Sequence, residues 1–190
     1  MFPDLKNKNV LITGAGRNIG RATALEFAQA GANVYFTEIN SERLGNLIEE
    51  LKNSRYSTIK ATGFRADITE LGDTTMIFNE LNKKDISIDI LVNNVGYDRE
   101  RVESLHIIMD EWIKDYTTNI FGPMNLTKRV VKEFMKPRQQ GSIVFVTSIH
   151  QEVIRRHPIY SSSKAALGMI VKELALELAP HYIRVNGVAP

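Results

Sequence analysis

Tyr160 and Lys164 stand four residues apart in Tyr160-Ser-Ser-Ser-Lys164, at the start of a stretch with helical periodicity. Residues four apart share one helical face, so a phenol and an ammonium reach one pocket. A free phenol, with a pKa of about 10, is a poor base at neutral pH. A neighbouring cation favours the phenolate and lowers that value. The pair therefore reads as a proton-transfer couple. Ser148, earlier in the chain, adds a hydroxyl able to hydrogen-bond an alcohol or carbonyl oxygen. Its neighbours Val-Thr-Ser-Ile-His lack the G-x-S-x-G elbow of a serine hydrolase. This spacing of tyrosine and lysine is common in itself, so the assignment depends on the elements that deliver the pair.

Those elements alternate. Short apolar runs at Asn9–Thr13, Asn33–Thr37, Thr58–Phe64, Ile88–Asn93, Gly141–Thr147 and Ile183–Val188 predict six strands. Between them, helical periodicity spans Ile19–Ala30, stopped by Gly31, and a helix that Ser41 caps and that carries Leu44, Leu47, Ile48 and Leu51. Further helices are predicted over Leu71–Leu81, Asp110–Met135 and Ile159–Leu178. Strand–helix alternation with nearly all-apolar strands implies an α/β fold: a three-layer, Rossmann-type, doubly wound parallel sheet with helices on both faces. No repeat or linker interrupts the chain, so residues 1–190 are expected to form a single dinucleotide-binding and catalytic domain. Such sheets bind ligands beyond the carboxyl ends of their strands.

The first strand runs into Thr13-Gly-Ala-Gly-Arg-Asn-Ile-Gly20 and then a helix. Small residues let backbone approach a pyrophosphate, and the helix N-terminus offers free N–H groups and partial positive charge. Glu38, at the end of the second strand, is placed to accept from adenosine ribose hydroxyls and to repel a 2′-phosphate, which favours NAD. Arg17 pulls toward NADP, because guanidinium suits phosphate. NAD is the expectation, with NADP left open.

With these residues in view, the chain resembles the short-chain dehydrogenase/reductase family over nearly its whole length. Thr13–Gly20 matches the family's TGxxxGxG turn except that Asn18 replaces the middle glycine; asparagine tolerates positive φ, so the turn is expected to survive. Asn93-Asn-Val-Gly96 resembles NNAG with Val95 for alanine, and Asp67 matches the aspartate beside the adenine. The resemblance implies a catalytic tetrad of Asn119, Ser148, Tyr160 and Lys164. It implies cofactor contacts at Gly14, Arg17, Asn18, Ile19, Gly20, Glu38, Asp67, Ile68, Asn93, Val95, Gly96, Tyr160, Lys164 and Pro190. The implied reaction interconverts an alcohol and a ketone or aldehyde by hydride transfer, with Tyr160 as acid/base and a small-molecule alcohol or carbonyl as substrate. One reading comes from the residues alone. Pro123 lacks the N–H that would bond the Asn119 carbonyl in a regular helix, leaving that carbonyl to hold a water toward Lys164.

The family normally continues past the Pro190 position with a substrate loop, so the chain reads as truncated. The rival expectation is a catalytically silent dinucleotide-binding or interaction module. Helices over Asp110–Met135 and Ile159–Leu178 pair subunits in the family, which implies a homodimer or homotetramer. With 24 Lys+Arg against 22 Asp+Glu, the net charge of +2 gives no electrostatic footprint for nucleic acid or an anionic membrane. No cysteine, signal-peptide stretch or membrane-length apolar run is present, which together suggest a cytoplasmic protein. The four histidines lack metal-ligand spacing, so no metal is expected. His150, His157, Arg155 and Arg156 read as loop residues, and Lys128, Arg129 and Lys132 as a solvated helix face. Trp112 and Phe121 read as core or subunit contact.

Overall fold

The computed structural model describes residues 3–52, 59–98 and 103–190. Six parallel strands form one sheet: β1 (Asn9–Ile12), β2 (Asn33–Glu38), β3 (Ala61–Arg65), β4 (Ile90–Asn93), β5 (Gly141–Val146) and β6 (Ile183–Val188). They lie in the order β3-β2-β1-β4-β5-β6. This is the Rossmann order, with its switch point between β1 and β4. The predicted start of the third strand, Thr58, lies outside the described residues.

Alternate residues of each strand point to opposite faces, and both faces are covered. Val10, Ile12, Val34 and Phe36 pack with Ala24, Ala28, Leu47 and Leu51, from α1 (Asn18–Gln29) and α2 (Ser41–Leu51). Leu11, Tyr35, Leu91 and Ile143 point the other way. They meet Ile77 and Phe78 of α3 (Leu71–Lys83), Leu126 of the helical stretch after β4, and Leu167 of the last long helix. Burying each such side chain contributes about 1.5–3 kcal/mol.

Helix ends follow local chemistry. The side chain of Asn40, not Ser41, caps α2 by accepting from the Arg43 N–H at 2.9 Å; Ser41 is already the first helical residue. Gly31 takes φ 86° just beyond α1, the left-handed stop expected of it.

The stretch predicted as one helix over Asp110–Met135 is not regular. It comprises α4 (Met109–Tyr116), a π turn (Thr117–Phe121), α5 (Gly122–Val130) and a second π turn (Val131–Met135). In the first π turn the Gly122 N–H donates to the Thr117 carbonyl, one residue further back than in an α-helix. Pro123, which has no N–H to give, follows at once. The regular helix assumed in reading Pro123 against the Asn119 carbonyl is thus replaced by a wider turn with Asn119 at its centre. Of the predicted solvated face, Lys128 and Lys132 are exposed. Arg129 instead lies 4.0 Å from the Phe78 ring centroid and bonds Glu133 at 3.0 Å. Phe121 is 52% exposed and so is not core.

The last long helix, α6 (Pro158–Leu178), carries Tyr160 in its first turn. Asn93 pins β4 to α5: its Nδ2 donates to Thr127 Oγ1 at 2.9 Å, with both residues buried. Thr127→Val keeps the shape but leaves the Asn93 amide without that acceptor. It should lower stability by about 1–3 kcal/mol, read as a reduced urea midpoint at unchanged slope.

Candidate active site

The glycine turn after β1 is held from three sides. Thr13 Oγ1 accepts from the N–H groups of Asn94 and Val95 at 3.0 and 3.1 Å. Asn94 returns its amide to the carbonyls of Thr13 and Gly14, both at 3.0 Å. Glu38, 6% exposed, accepts from the Gly16 N–H through Oε2 at 2.9 Å and from the Asn40 N–H through Oε1 at 3.0 Å. Glycine is required at two points. A Cβ on Gly16 would overlap the Glu38 carboxylate, and one on Gly20 would run into the Gly14 carbonyl. Asn18 takes φ 47°, as its replacement of the middle glycine demands.

The turn and the N-terminus of α1 open onto a cleft of about 590 Å³ at the carboxyl ends of the strands. The size falls within the range of small-molecule sites. Of the residues singled out in the sequence, Gly14, Arg17, Asn18, Ile19, Gly20, Glu38, Asp67, Ile68, Val95, Gly96, Ser148, Tyr160, Lys164 and Pro190 line it. Asn93 and Asn119 do not: Asn93 turns toward α5, and Asn119 lies behind the wall with no exposed surface. Asp67 is locked in its own turn, with Oδ1 accepting from the Thr69 N–H and hydroxyl at 2.9 and 2.7 Å.

Glu38 keeps further lone pairs after its two backbone bonds. Gly14 and Gly20 bring backbone without side chains to the cleft, and a helix N-terminus faces the same space. These residues fit a dinucleotide.

The same cleft is lined by Tyr160 and Lys164. Lys164 is 2% exposed and its Nζ donates to the Val146 carbonyl at 2.8 Å. Burial lowers its pKa to about 8. A Cβ on Gly96 would come within 3.1 Å of that Nζ, so glycine is what lets the amine reach its place. The Lys164 Nζ lies 5.6 Å from the Tyr160 ring centroid. Burial raises the Tyr160 phenol, a hydrogen bond with Ser148 lowers it, and the charge of Asp98 raises it again. The phenol thus stands above its ordinary value, and the lowering expected from Lys164 is not found. Ser148 Oγ also accepts from the His150 N–H at 3.3 Å, which leaves its own proton to donate.

The three serines between Tyr160 and Lys164 each anchor a different element. Ser161 Oγ lies 3.2 Å from His150 Nδ1, and Tyr116 of α4 donates to Ser162 Oγ at 2.9 Å. Asn119 Nδ2 donates to Ser163 Oγ at 3.0 Å. The same Asn119 amide brackets Tyr97, accepting from its N–H at 2.7 Å and donating to its carbonyl at 2.9 Å. Asn119 therefore ties the segment after β4 to α6.

Sequence reasoning passed over Thr13, Asn94, Gly16 and Asp98. The first three sit inside or beside the recognised motifs, and their roles arise from contacts across the sheet. Of the two histidines set aside as loop residues, His150 stands against Tyr160 and His157 against His150. Their signal was two histidines within the short stretch joining Ser148 to Tyr160.

A family model described as short chain dehydrogenase matches residues 8–190. The chain is 37% identical over 185 residues to a glucose 1-dehydrogenase of Gluconobacter oxydans, covering 96% of this chain and 68% of that protein. It is 33% identical over 187 residues to a 7alpha-hydroxysteroid dehydrogenase of Escherichia coli, covering 98% and 71%. An NAD+-bound xylitol dehydrogenase superposes with TM-score 0.89 at 29% identity, covering 98% of this chain and 70% of that one. A gluconate 5-dehydrogenase from Burkholderia cenocepacia, in complex with NADP and tartrate, superposes with TM-score 0.87 at 29% identity, covering 97% and 71%. Among the described residues no helix is long and apolar enough to cross a membrane. The chain belongs to the short-chain dehydrogenase family and is an NAD(P)-dependent oxidoreductase of alcohols and ketones.

Proposed function

We propose that Tyr160 is the acid/base of this reaction, that Ser148 and Lys164 complete the catalytic group, and that Asn119 positions it. The observation that carries the reading is that Ser148, Tyr160 and the buried Lys164 line one cleft, with the Lys164 Nζ 5.6 Å from the Tyr160 ring centroid. Gly14, Arg17, Asn18, Ile19, Gly20, Glu38, Asp67, Ile68, Val95, Gly96 and Pro190 would hold the dinucleotide, with Asn93 acting from behind through the sheet. A bound nicotinamide would supply the hydride chemistry at the substrate carbon. In oxidation the Tyr160 oxygen takes the alcohol proton; in reduction it gives that proton to the new alkoxide. Ser148 holds the reacting oxygen, and Lys164 steadies the phenolate and the nicotinamide ribose. The grouping of Ser148, Tyr160 and Lys164 on one cleft supports this reading over the rival one, a silent binding module. Ile108, Met109, Ile113 and Phe121 are exposed along one helical stretch, which supports the expected homo-oligomer.

Tyr160→Phe should lower kcat by about 10²–10⁴-fold, with NADH binding followed by fluorescence retained. Substantial turnover would remove Tyr160 from the mechanism. Glu38 favours NAD, so NADH should bind at least about tenfold more tightly than NADPH, or about 1.4 kcal/mol. Tighter NADPH binding reverses the assignment.

The depressed Lys164 pKa also has a stability consequence. Above the ordinary value of 10.5 the amine is neutral folded or unfolded, and no penalty is present. Between that value and about 8 the unfolded chain binds more protons, so stability falls as pH falls. Below about 8 the full cost of a buried cation, about 3 kcal/mol, is in place. Lys164→Met removes that cost together with the ammonium's hydrogen bond to Val146, worth about 1.5–3 kcal/mol. Relative to the wild type it should lose stability as pH rises from 7 toward 10, while turnover is lost. Thermal melts across that range check the sign.

A further inference from the structure

Asp98 is a charged group in the catalytic cleft that the proposed chemistry does not use. It lines the same cleft as Ser148, Tyr160 and Lys164. It comes from the segment after β4, and its Oδ1 lies 2.8 Å from His157 Nδ1. His157 is the N-cap residue of α6, and Tyr160 follows three positions later in the first turn. Residues three apart are neighbours on a helix, so this contact fastens the carboxylate near the phenol.

The N-terminus of a helix favours a negative charge in its first turn. At α6 Asp98 already supplies one. A phenolate on Tyr160 would be a second anion in the same cleft, and like charges oppose ionisation. The phenol responds accordingly, the charge of Asp98 adding to burial in raising it. Lys164 does not cancel this. Its Nζ donates to the Val146 carbonyl, and burial lowers its pKa to about 8. Above that pH the amine carries no charge to set against a phenolate. His150 stands edge-on to Tyr160 with ring centroids 5.2 Å apart. Histidine ordinarily loses its charge well below the range in which a phenol titrates. Lys114 also lines the cleft, and toward β2 Arg17 and Arg43 stand with Glu38 and Asp67. Beyond His157 a second cleft sets Arg155 and Arg156 against Glu103 and Glu152.

We propose that Asp98 is a positioning residue that acts through Tyr160: its carboxylate, fastened by His157, keeps the phenol protonated at neutral pH and so presets the site as the acid that reduces a carbonyl. The proposal rests on Tyr160 being the acid/base. Oxidation is then the direction that waits on alkaline conditions, because it needs the phenolate.

The test is a spectrophotometric titration of the Tyr160 phenol, whose ultraviolet absorbance moves to longer wavelength on ionisation. The chain has six tyrosines, so each protein is read against the same chain carrying Tyr160→Phe. In the wild type the Tyr160 signal should appear above neutral pH. Asp98→Asn, which keeps an oxygen for His157 but removes the charge, should move it to lower pH. Asp98→Glu, which restores the charge, should move it most of the way back. A merely structural role would lower the melting temperature of both variants and leave the midpoint where it is. An unchanged midpoint in Asp98→Asn overturns the proposal. So does a glutamate variant that titrates like the asparagine one, or a wild-type phenol already ionised at neutral pH. Failure of the underlying reading looks different: Tyr160→Phe would then retain turnover, wherever the phenol titrates.

Discussion

A lysine amine taken out of water is the constraint around which the site is arranged. Lys164 is 2% exposed and receives one carbonyl, that of Val146, in return for its hydration. A buried ammonium is tolerated only where acceptors are fixed and nothing crowds the approach. The end of β5 supplies the acceptor, and the missing side chain of Gly96 supplies the space. Both conditions depend on β4 and β5 lying adjacent and parallel, so the strand order is already part of the chemistry. Function here is held at a cost in stability, the usual relation between active sites and the folds that carry them.

The same economy governs the first two turns of α6. A helix presents successive residues about 100° apart, so three consecutive serines point in three directions. Ser161 faces the segment after β5, Ser162 faces α4, and Ser163 faces the π turn. Tyr160 and Lys164, four apart, keep the remaining face. The residues between Tyr160 and Lys164 thus tie the start of this helix to three different segments. Asn119 can serve Ser163 and Tyr97 together because the π turn places its amide between them.

Much of this was legible in the chain. Buried parallel strands are continuous apolar runs, and helices have periodicity, so the fold followed from pattern alone. The glycine turn, Glu38, Ser148 and Tyr160 could be read because each sits at a strand end or in a local motif. What could not be read was set by contacts between distant segments. The π turn sets Asn119 against Tyr97 and Ser163, 22 and 44 positions away. The Thr13–Asn94 clasp joins residues 81 positions apart. The nearness of His150 to Tyr160 depends on how the intervening segment folds back over α6. Local spacing carries no information about such closures.

Cofactor choice shows how tightly the parts are coupled. If Glu38 discriminates against a 2′-phosphate, it does so while holding two backbone N–H groups, those of Gly16 and Asn40. Rotating the carboxylate away to admit a phosphate would leave both donors unpaired at the edge of a buried turn. Arg17 and Arg43, which line the same end of the cleft, can attract a phosphate without meeting that cost. The two arginines act through charge that solvent and salt screen; Glu38 acts through bonds the turn needs in order to keep its shape. A residue that is both a ligand contact and a structural tie is the harder one to move, and this asymmetry is the physical reason to weight Glu38 over Arg17 in assigning NAD.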